Sequence, residues 1–471
     1  MMPTPTPFDR EVCTRLPLAE ACLRLLDFVT AADFLAELFD RHRGNSHEQV
    51  LSFGLFVHLI GDALLQHQGS AYQAFTRARE DGDLTTSYQA VYGKLARLPL
   101  SLSQGFLAES SQRLLQVVPT LPRSLPASLR RFQVCPIDGK KIKQVAKRLK
   151  PLRRLNGNLL GGKLVVGLHL NSGLALAFQA DADGHRSDTP LTAGLLRQLR
   201  RQVPGPRLFL LDRLFCDLGQ PELLSQDGDH FVLRYCAKVN FYPDAQRPAQ
   251  EGTDAQGRRY VQQWGWLGGP KDPRRRYLRR VTLYRPGEED VCVLTDLVDE
   301  KLYPAEDILA VYLLRWGIER CFQDITEVFG LARLIGGTPQ ATVFQASFCL
   351  LLYNVVQVVR GFLAETQTRA AEEVSLDNVF TDVKRQLIAW SEVLSPQATL
   401  ALLRGQATAA QLQQRLREVL AEVWTDRWLK APTKKGPWQK PPPRQYVKGG
   451  HASVYRLLQK ARQQEREKAP L

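Results

Sequence analysis

Apolar residues recur every three or four positions in two long parts of the chain, which is the period of an amphipathic helix. One part covers most of the first 117 residues. The other follows residue 304, where helices are predicted over 304–329, 342–365, 376–394 and 410–424. The chain is therefore predicted to be helical at both sides of a different central region.

The central region has shorter apolar runs of the kind that form strands. Residues 132–137 are the first such run, and residues 163–170 and 174–180 predict a hairpin. A helix predicted over 188–203 ends at a Pro-Gly-Pro stop, and residues 207–211 form the next strand. Short alternating runs and basic turns then predict a β-rich insertion.

These patterns predict an α/β core that is interrupted by the insertion and flanked by an all-helical N-terminal region and a helical C-terminal region. The tail of the chain is strongly basic, and its prolines predict that the first part is extended or disordered. The predicted regions are the helical N-terminal region (1–130), the first half of the core (131–228), the β-rich insertion (229–297), the second half of the core (298–368), and the helical C-terminal region with its basic tail (369–471).

Composition narrows the classes of partner. The 471 residues carry 63 Lys and Arg against 48 Asp and Glu, and the net charge of +15 favours polyanionic partners. No apolar run approaches the roughly 20 residues that span a bilayer, so no membrane partner is expected. The 8 cysteines occur singly and without a C-x-x-C pair, which argues against zinc and disulfides and indicates a reducing cytoplasm.

Three carboxylates stand where elements of the core end or meet. Asp138 and Asp212 each follow a predicted strand, and Glu319 lies in the predicted helix 304–329. Carboxylates at the ends of neighbouring strands can meet one from a helix packed on that sheet, and three such ligands suit Mg²⁺. The alternative for each aspartate is structural, because Asp-Gly forms turns and Asp caps helices.

The helix 304–329 also carries a stripe of functional side chains. Tyr312, Arg315 and Glu319 are spaced i, i+3 and i+7, so they share one helix face. A phenol, a guanidinium and a carboxylate on one stripe suit a phosphate, since the cation can clamp it while the carboxylate holds a metal. The alternative is a surface Arg–Glu pair on an ordinary amphipathic helix.

Basic residues cluster at two further places, one directly after Asp138 and one inside the predicted insertion. Either cluster suits a surface that follows a phosphate backbone, and either could equally be a solvated basic loop. The residues that we expect to contact phosphates are Lys140 and Lys141 in the first cluster and Arg274, Arg275 and Arg276 in the second.

Together these features resemble a known family. The order of elements, Asp138-Gly, Asp212-Arg-Leu-Phe and the Tyr-x-x-Arg-x-x-x-Glu helix are similar to the DDE transposases of the bacterial insertion sequence four family. The resemblance covers roughly residues 132–360, and its most specific part is the helix around Glu319.

The resemblance implies a ribonuclease-H-like catalytic core. Asp138, Asp212 and Glu319 would then be the catalytic and metal-binding triad for two Mg²⁺ ions, with Mn²⁺ as a substitute. Tyr312 and Arg315 would contact the DNA backbone near the scissile bond. In similar enzymes an aromatic residue of the insertion receives a flipped base, and the candidates here are Trp264 and Trp266, near Tyr277. The alternative is that all three are core residues of the insertion.

The implied activity is cut-and-paste transposition, in which DNA is cleaved at terminal inverted repeats and joined to target DNA. The N-terminal helices would bind the repeat, and a homodimer would pair two double-stranded ends in a bacterial cytoplasm, associated with the nucleoid. One position departs from the family pattern, since Thr326 stands where a lysine is expected seven residues after Glu319. The alternatives are a metal-dependent nuclease on the same fold and an inactive copy that only binds ends.

Overall fold

The structure is a computed structural model. It describes residues 5–468 except 68, 120–124, 144, 148, 154, 156, 158, 334, 404–407 and 432–450. The proline-rich part of the basic tail, which the sequence predicts to be extended or disordered, therefore lies almost entirely outside the described residues.

The described N-terminal region is helical, as predicted. Several helices begin at a hydroxyl side chain that accepts a backbone N–H of the first turn, for example Ser52, Ser70 and Ser87. The helices are α1 (Pro7–Arg15), α2 (Pro17–Thr30), α3 (Ala32–His42), α4 (Phe53–Leu65), α5 (Ala71–Glu80), α6 (Tyr88–Leu95) and α7 (Leu100–Leu115).

A mixed sheet forms the centre of the molecule. The elements of this part of the chain are β1 (Gln133–Lys141), β2 (Leu159–Leu160), β3 (Lys163–His169), β4 (Leu174–Asp181), α8 (Thr189–Gln202), β5 (Arg207–Leu211), α9 (Gln220–Leu224) and β6 (His230–Arg234). The short β2 lies outside the mixed sheet. The strands lie in the order β4-β3-β1-β5-β6. The pairs β4–β3 and β3–β1 are antiparallel, whereas β1–β5 and β5–β6 are parallel. This is the strand order of a ribonuclease-H-like fold, as expected.

The β-rich insertion continues the same sheet. Its strands are β7 (Phe241–Pro243), β8 (Gln250–Thr253), β9 (Arg259–Leu267), β10 (Arg276–Leu283) and β11 (Val291–Thr295). β11 pairs antiparallel with β6, and the sheet then runs on through β10, β9 and β7. Because β6 pairs in parallel with β5, the first half of the core extends to Arg234, beyond the boundary predicted at residue 228.

The second half of the core consists of α10 (Ala305–Leu313), α11 (Trp316–Glu327) and α12 (Pro339–Thr366). By length and composition α12 could cross a membrane, although the apolar pattern of the sequence predicts no such run. Its most apolar stretch is 100% buried inside the protein. The amide of Asn354 is tied to the edge of the sheet, where it donates to the carbonyl of Ala175 and accepts from that residue's N–H. We therefore assign α12 as the core helix.

The C-terminal region is helical too, and its last described part returns to the core. The elements are α13 (Leu376–Val393), α14 (Pro396–Leu403), α15 (Ala409–Leu420), the short strand β12 (Ala452–Ser453) and α16 (Val454–Lys468). β12 pairs in parallel with β2, so the C-terminal segment lies beside the loop that follows β1.

Candidate active site

Strand register brings the two aspartates together. β1 and β5 are parallel, and their last paired residues are Ile137 and Leu211. Asp138 and Asp212 follow directly, so they stand side by side at the carboxyl end of adjacent strands, as the sequence predicted. One detail differs: β1 does not end at Asp138 but continues to Lys141 along β3.

Asp138-Gly139 is therefore part of a strand and not a turn. A Cβ atom on Gly139 would lie 2.2 Å from Oδ1 of Asp188, an impossible contact, so a close approach requires the glycine. Asp188 itself is buried and lies 2.5 Å from the ammonium of Lys163. The glycine beside Asp138 thus allows a buried ion pair to pack against the strand.

The prediction of one continuous helix over 304–329 is wrong. α10 ends at Leu313 and α11 starts at Trp316. Between them the backbone forms tight i→i−3 hydrogen bonds, including Arg315 N–H to Tyr312 C=O at 3.0 Å and Ile318 N–H to Arg315 C=O at 3.0 Å. This 3₁₀-type turn keeps the side chains on the same side of the chain, so the functional stripe survives the break.

Arg315 is the centre of the site. Its side chain is 3% exposed. One guanidinium nitrogen lies 3.3 Å from Oδ2 of Asp138, and another lies 2.7 Å from Oε1 of Glu319. A single buried cation thus joins the carboxylate of β1 to that of α11, and three of the predicted residues meet here.

The charges of all three carboxylates act on one another. The pKa of Asp138 is raised to about 6, chiefly by burial and also by the charges of Asp212 and Glu319, while the N–H of Gly139 and the guanidinium of Arg315 oppose the rise. The ordinary pKa of an aspartate is about 3.9. The site is therefore short of positive charge.

Tyr312 lies against the same cluster. It is 3% exposed, and burial raises its pKa to about 12, with Asp212 adding to the rise and Arg315 opposing it. Within the described residues, its hydroxyl and Nε of Arg315 are buried and form no well-aligned hydrogen bond, although the hydroxyl interacts with the Arg315 side chain. Such unsatisfied groups are costly unless a ligand or water completes them, so both point to a place for a ligand.

The donors suit a hard divalent cation in kind, since all three are carboxylates. Their side chains are not arranged as a finished metal site. Among the residues that the structure describes, no three His, Cys, Asp or Glu side chains are placed to hold a metal ion. The guanidinium of Arg315 supplies the counter-charge to Asp138 and Glu319. A metal at this site would have to replace those contacts.

A cavity of about 700 Å³ opens beside the carboxylates, and Asp138, Glu319 and Thr326 contribute to its wall. Lys140 and Lys141 line it as well, as predicted for residues next to the site. Lys141 is exposed. The ammonium of Lys140 instead donates to the carbonyl of Phe322 at 3.0 Å, and burial lowers its pKa to about 8.

The contact between Lys140 and Phe322 concerns position 326, where the family pattern has a lysine. The hydroxyl of Thr326 donates to the same carbonyl of Phe322, at 2.6 Å. The cation beside position 326 is therefore Lys140, which reaches it from β1. This pairing depends on a backbone carbonyl and therefore leaves no signal in the sequence.

In the insertion, the structure contradicts one predicted residue. Trp264 is 0% exposed; its indole N–H donates to the carbonyl of Val298 at 2.8 Å, and Arg247 lies 3.7 Å from its ring centroid. A ring buried in this way has no face to offer a DNA base. Trp264 is a core residue of the insertion, and its expected stacking role is a wrong prediction.

Trp266 differs from Trp264, since it is only partly buried. Its ring packs edge-on against Tyr277 at 5.1 Å, and the guanidinium of Arg275 lies 4.1 Å from its centroid. Arg274 and Arg276 on either side of Arg275 are exposed. The predicted basic and aromatic surface of the insertion is thus built around Trp266.

The sequence and the fold of this chain are each similar to those of known transposases. Residues 136–355 match the family model of the transposase DDE domain, a stretch that contains all three carboxylates and a little under half of the chain. Among solved structures, the cryo-EM structure of a piggyBac transposase synaptic complex with hairpin DNA matches at 11% identity and a TM-score of 0.39, covering 91% of this chain and 90% of that one. None of the curated proteins matches.

The central part of the chain is therefore similar to the catalytic domain of DDE transposases, which bears out the coarser part of the predicted resemblance. Neither match names the insertion sequence four family. That finer assignment stays a prediction.

Proposed function

We propose that this protein is a cut-and-paste DNA transposase of the insertion sequence four type, with Asp138, Asp212 and Glu319 as its catalytic carboxylates. The observation that carries the proposal is the convergence of these side chains at the ends of β1 and β5 and on α11, within the region similar to a transposase DDE domain. The strongly basic composition supports DNA as the substrate.

The carboxylates would hold two Mg²⁺ ions, for which Mn²⁺ could substitute. When bound, such ions activate a water or a 3′-hydroxyl and stabilise the leaving oxygen of a phosphodiester. Asp138 and Asp212 would hold their ligands from the rigid strand ends, and Glu319 would complete the set from α11.

Arg315 and Tyr312 would bind the scissile phosphate. The guanidinium that now pairs with Asp138 and Glu319 can make the same charge-assisted hydrogen bonds to phosphate oxygens. The hydroxyl of Tyr312 can donate to the same group. Lys140 and Lys141, in the wall of the cavity, would neutralise the neighbouring backbone.

The rest of the chain would provide recognition and assembly. We propose that the N-terminal helices bind the terminal inverted repeat and that two copies of the chain pair two ends. In the insertion, Trp266 is the predicted tryptophan that stays partly exposed; Arg275 lies over its ring, and Arg274 and Arg276 on either side of Arg275 are exposed. These residues would contact the DNA near the cleaved strand.

The test is a cleavage assay with the full-length protein on labelled DNA that carries its own flanking inverted repeat, with Mg²⁺ or with EDTA. We expect Mg²⁺-dependent nicking at the repeat and joining to a second DNA, both lost in Glu319→Gln while end binding persists. Glu327→Gln is the matched control, since this exposed carboxylate lies on the same helix and lines the same cavity.

Each alternative predicts a different product. Cleavage without any joined product would favour a nuclease on the same fold. Binding that is unchanged by Glu319→Gln, with no product from the unaltered protein, would favour an inactive copy that only binds ends. Full activity in Glu319→Gln would remove this residue from the catalytic set.

A further inference from the structure

The last described segment of the chain packs on the loop that starts in the candidate active site. Ala452 and Ser453 pair in parallel with Leu159 and Leu160. Residues 451–468, although far from the core in sequence, are thereby fixed beside the loop 139–160.

Backbone hydrogen bonds hold the two ends of this loop together. Ile142 exchanges two backbone hydrogen bonds with the glycines that precede β3: its N–H donates to Gly162 at 3.0 Å, and its carbonyl accepts from Gly161 at 2.8 Å. Farther out, the ammonium of Lys147 donates to the carbonyls of Leu155 and Gly157 at 2.6 Å and 3.3 Å. The loop thus leaves and re-enters the core at one point, next to Asp138.

A small apolar cluster, separate from the main core, joins the loop to α16. Leu152, Leu159 and Val454 are its buried members, and Leu457 and Leu458 pack against it. The guanidinium of Arg456 also lies 2.8 Å from Oδ2 of Asp183, just after β4. The helix is therefore held by apolar packing, strand pairing and an ion pair.

The surface that results carries a strong charge of one sign. Among the side chains that the structure describes, residues 139–160 contain six Lys and Arg and no Asp or Glu, and α16 contains four basic and two acidic residues. On α16 the apolar side chains face the loop, whereas Lys460, Arg462 and Arg466 are exposed. Among the described residues none of these three has a carboxylate within salt-bridge distance, so they can contact a polyanion.

We propose that residues 139–160 and 451–468 form one loop–helix unit that binds the backbone of double-stranded DNA next to the cleavage position. The inference rests on the proposed function for the choice of DNA. Its basis is that the loop begins in the wall of the cavity beside Asp138 and Glu319 and that α16 packs on the same loop. On this proposal, DNA bound at the cavity would continue along the cations of α16.

The test compares duplex binding by the full-length unaltered protein with binding by Lys460→Gln/Arg462→Gln/Arg466→Gln, at several salt concentrations. The slope of log affinity against log salt is negative, and each lost phosphate contact reduces its magnitude by about 0.9, so we expect a slope that is shallower by up to about 3. Glu465→Gln/Glu467→Gln is the matched control on the same helix. It removes negative charge, and the affinity should rise or stay the same.

A footprint tests the position of the contact. The triple variant should lose protection of the DNA backbone beside the cleavage position and keep it within the inverted repeat. Circular dichroism and thermal unfolding should be unchanged, because the substituted side chains are exposed.

The outcomes separate this inference from the proposed function. If the unaltered protein binds and cleaves but the triple variant keeps the same affinity and salt slope, the loop–helix unit is not a DNA-binding surface and the proposed function stands. Equal loss of protection along the whole duplex would overturn the proposed position. If the unaltered protein binds no DNA at all, the inference and the proposed function fail together.

Discussion

Replacement of Arg315 by glutamine tests the electrostatics of the site without an activity assay. The guanidinium is 3% exposed and contacts Asp138, whose side chain is 16% exposed, and Glu319, whose side chain is 39% exposed. Removal of one partner from a buried ion pair costs roughly 3–5 kcal/mol, whereas an exposed pair is worth about 0–1 kcal/mol. Since one partner is well exposed, we expect a loss of about 2–4 kcal/mol in the free energy of unfolding.

Magnesium should reverse this loss. Without Arg315, three nearby carboxylates have lost their buried counter-charge, and a divalent cation that binds only the folded protein can supply one. Such a ligand at about one hundred times its Kd adds about 2.7 kcal/mol to the free energy of unfolding. In the unaltered protein the gain should be smaller, because the cation has to replace the contacts that the guanidinium makes.

Urea unfolding with and without Mg²⁺ measures both effects. Arg320→Gln is the control, since this exposed arginine lies on the same helix next to Glu319. The reasoning is refuted if Arg315→Gln is as stable as the unaltered protein, or if Mg²⁺ stabilises the variant no more than it stabilises the control. The second result would mean that the three carboxylates do not form a metal site.

The remaining predictions concern the insertion, the core and the cavity. Trp264→Ala should lower the free energy of unfolding by about 3–5 kcal/mol, as for other buried aromatic residues, whereas Trp266→Ala should chiefly weaken DNA binding; urea unfolding and a binding titration separate the two. Burial raises the pKa of Asp324 to about 6. Because ionisation of this carboxyl opposes folding, stability should fall as the pH rises from about 4 to 6, by at most about 3 kcal/mol, and Asp324→Asn should remove that fall in pH-dependent unfolding. Lys140→Ala should slow DNA cleavage and Thr326→Lys should restore it in that background; an absence of rescue would show that the two positions are not equivalent.

The sequence signals for the two aspartates are local. An apolar run followed by an aspartate singles out both Asp138 and Asp212, although β1 continues past Asp138 to Lys141. Their separation in space depends on the register of β1 against β5, which no local pattern encodes. The strand order β4-β3-β1-β5-β6 was likewise expected from the resemblance and not from the spacing of apolar residues.

The break between α10 and α11 shows the limit of periodicity. Leu314 and Arg315 have helical backbone angles, and neither is a glycine or a proline. The apolar residues continue at intervals of three and four on both sides, so the pattern of one long helix is preserved. Only the hydrogen bonds change, from i→i−4 to i→i−3, and a hydrophobic pattern does not record that change.

The insertion shows a second limit of prediction from sequence. A cluster of arginine and tryptophan residues forms a DNA-binding surface only if the side chains are exposed, and the sequence does not show whether they are. Arg279 pairs across the strands with Trp264 and is 0% exposed. Its guanidinium is satisfied by the side chain of Gln262 and by the carbonyl of Tyr303 at 2.6 Å. A buried arginine of this kind cannot be told from an exposed one until its partners, which come from other segments, are known.

Position 326 shows that a residue outside a sequence motif can supply a group that the motif is expected to contain. A family pattern compares residues at one position and finds Thr326 in place of a lysine. The chemistry needs a positive charge at a point in space, and the ammonium of Lys140 reaches the same carbonyl of Phe322 that the Thr326 hydroxyl binds. Lys140 comes from the strand that carries Asp138, so the charge is fixed to the same rigid element as the first carboxylate. The absence of the lysine is therefore weak support for an inactive copy, and the joint behaviour of positions 140 and 326 is the stronger criterion.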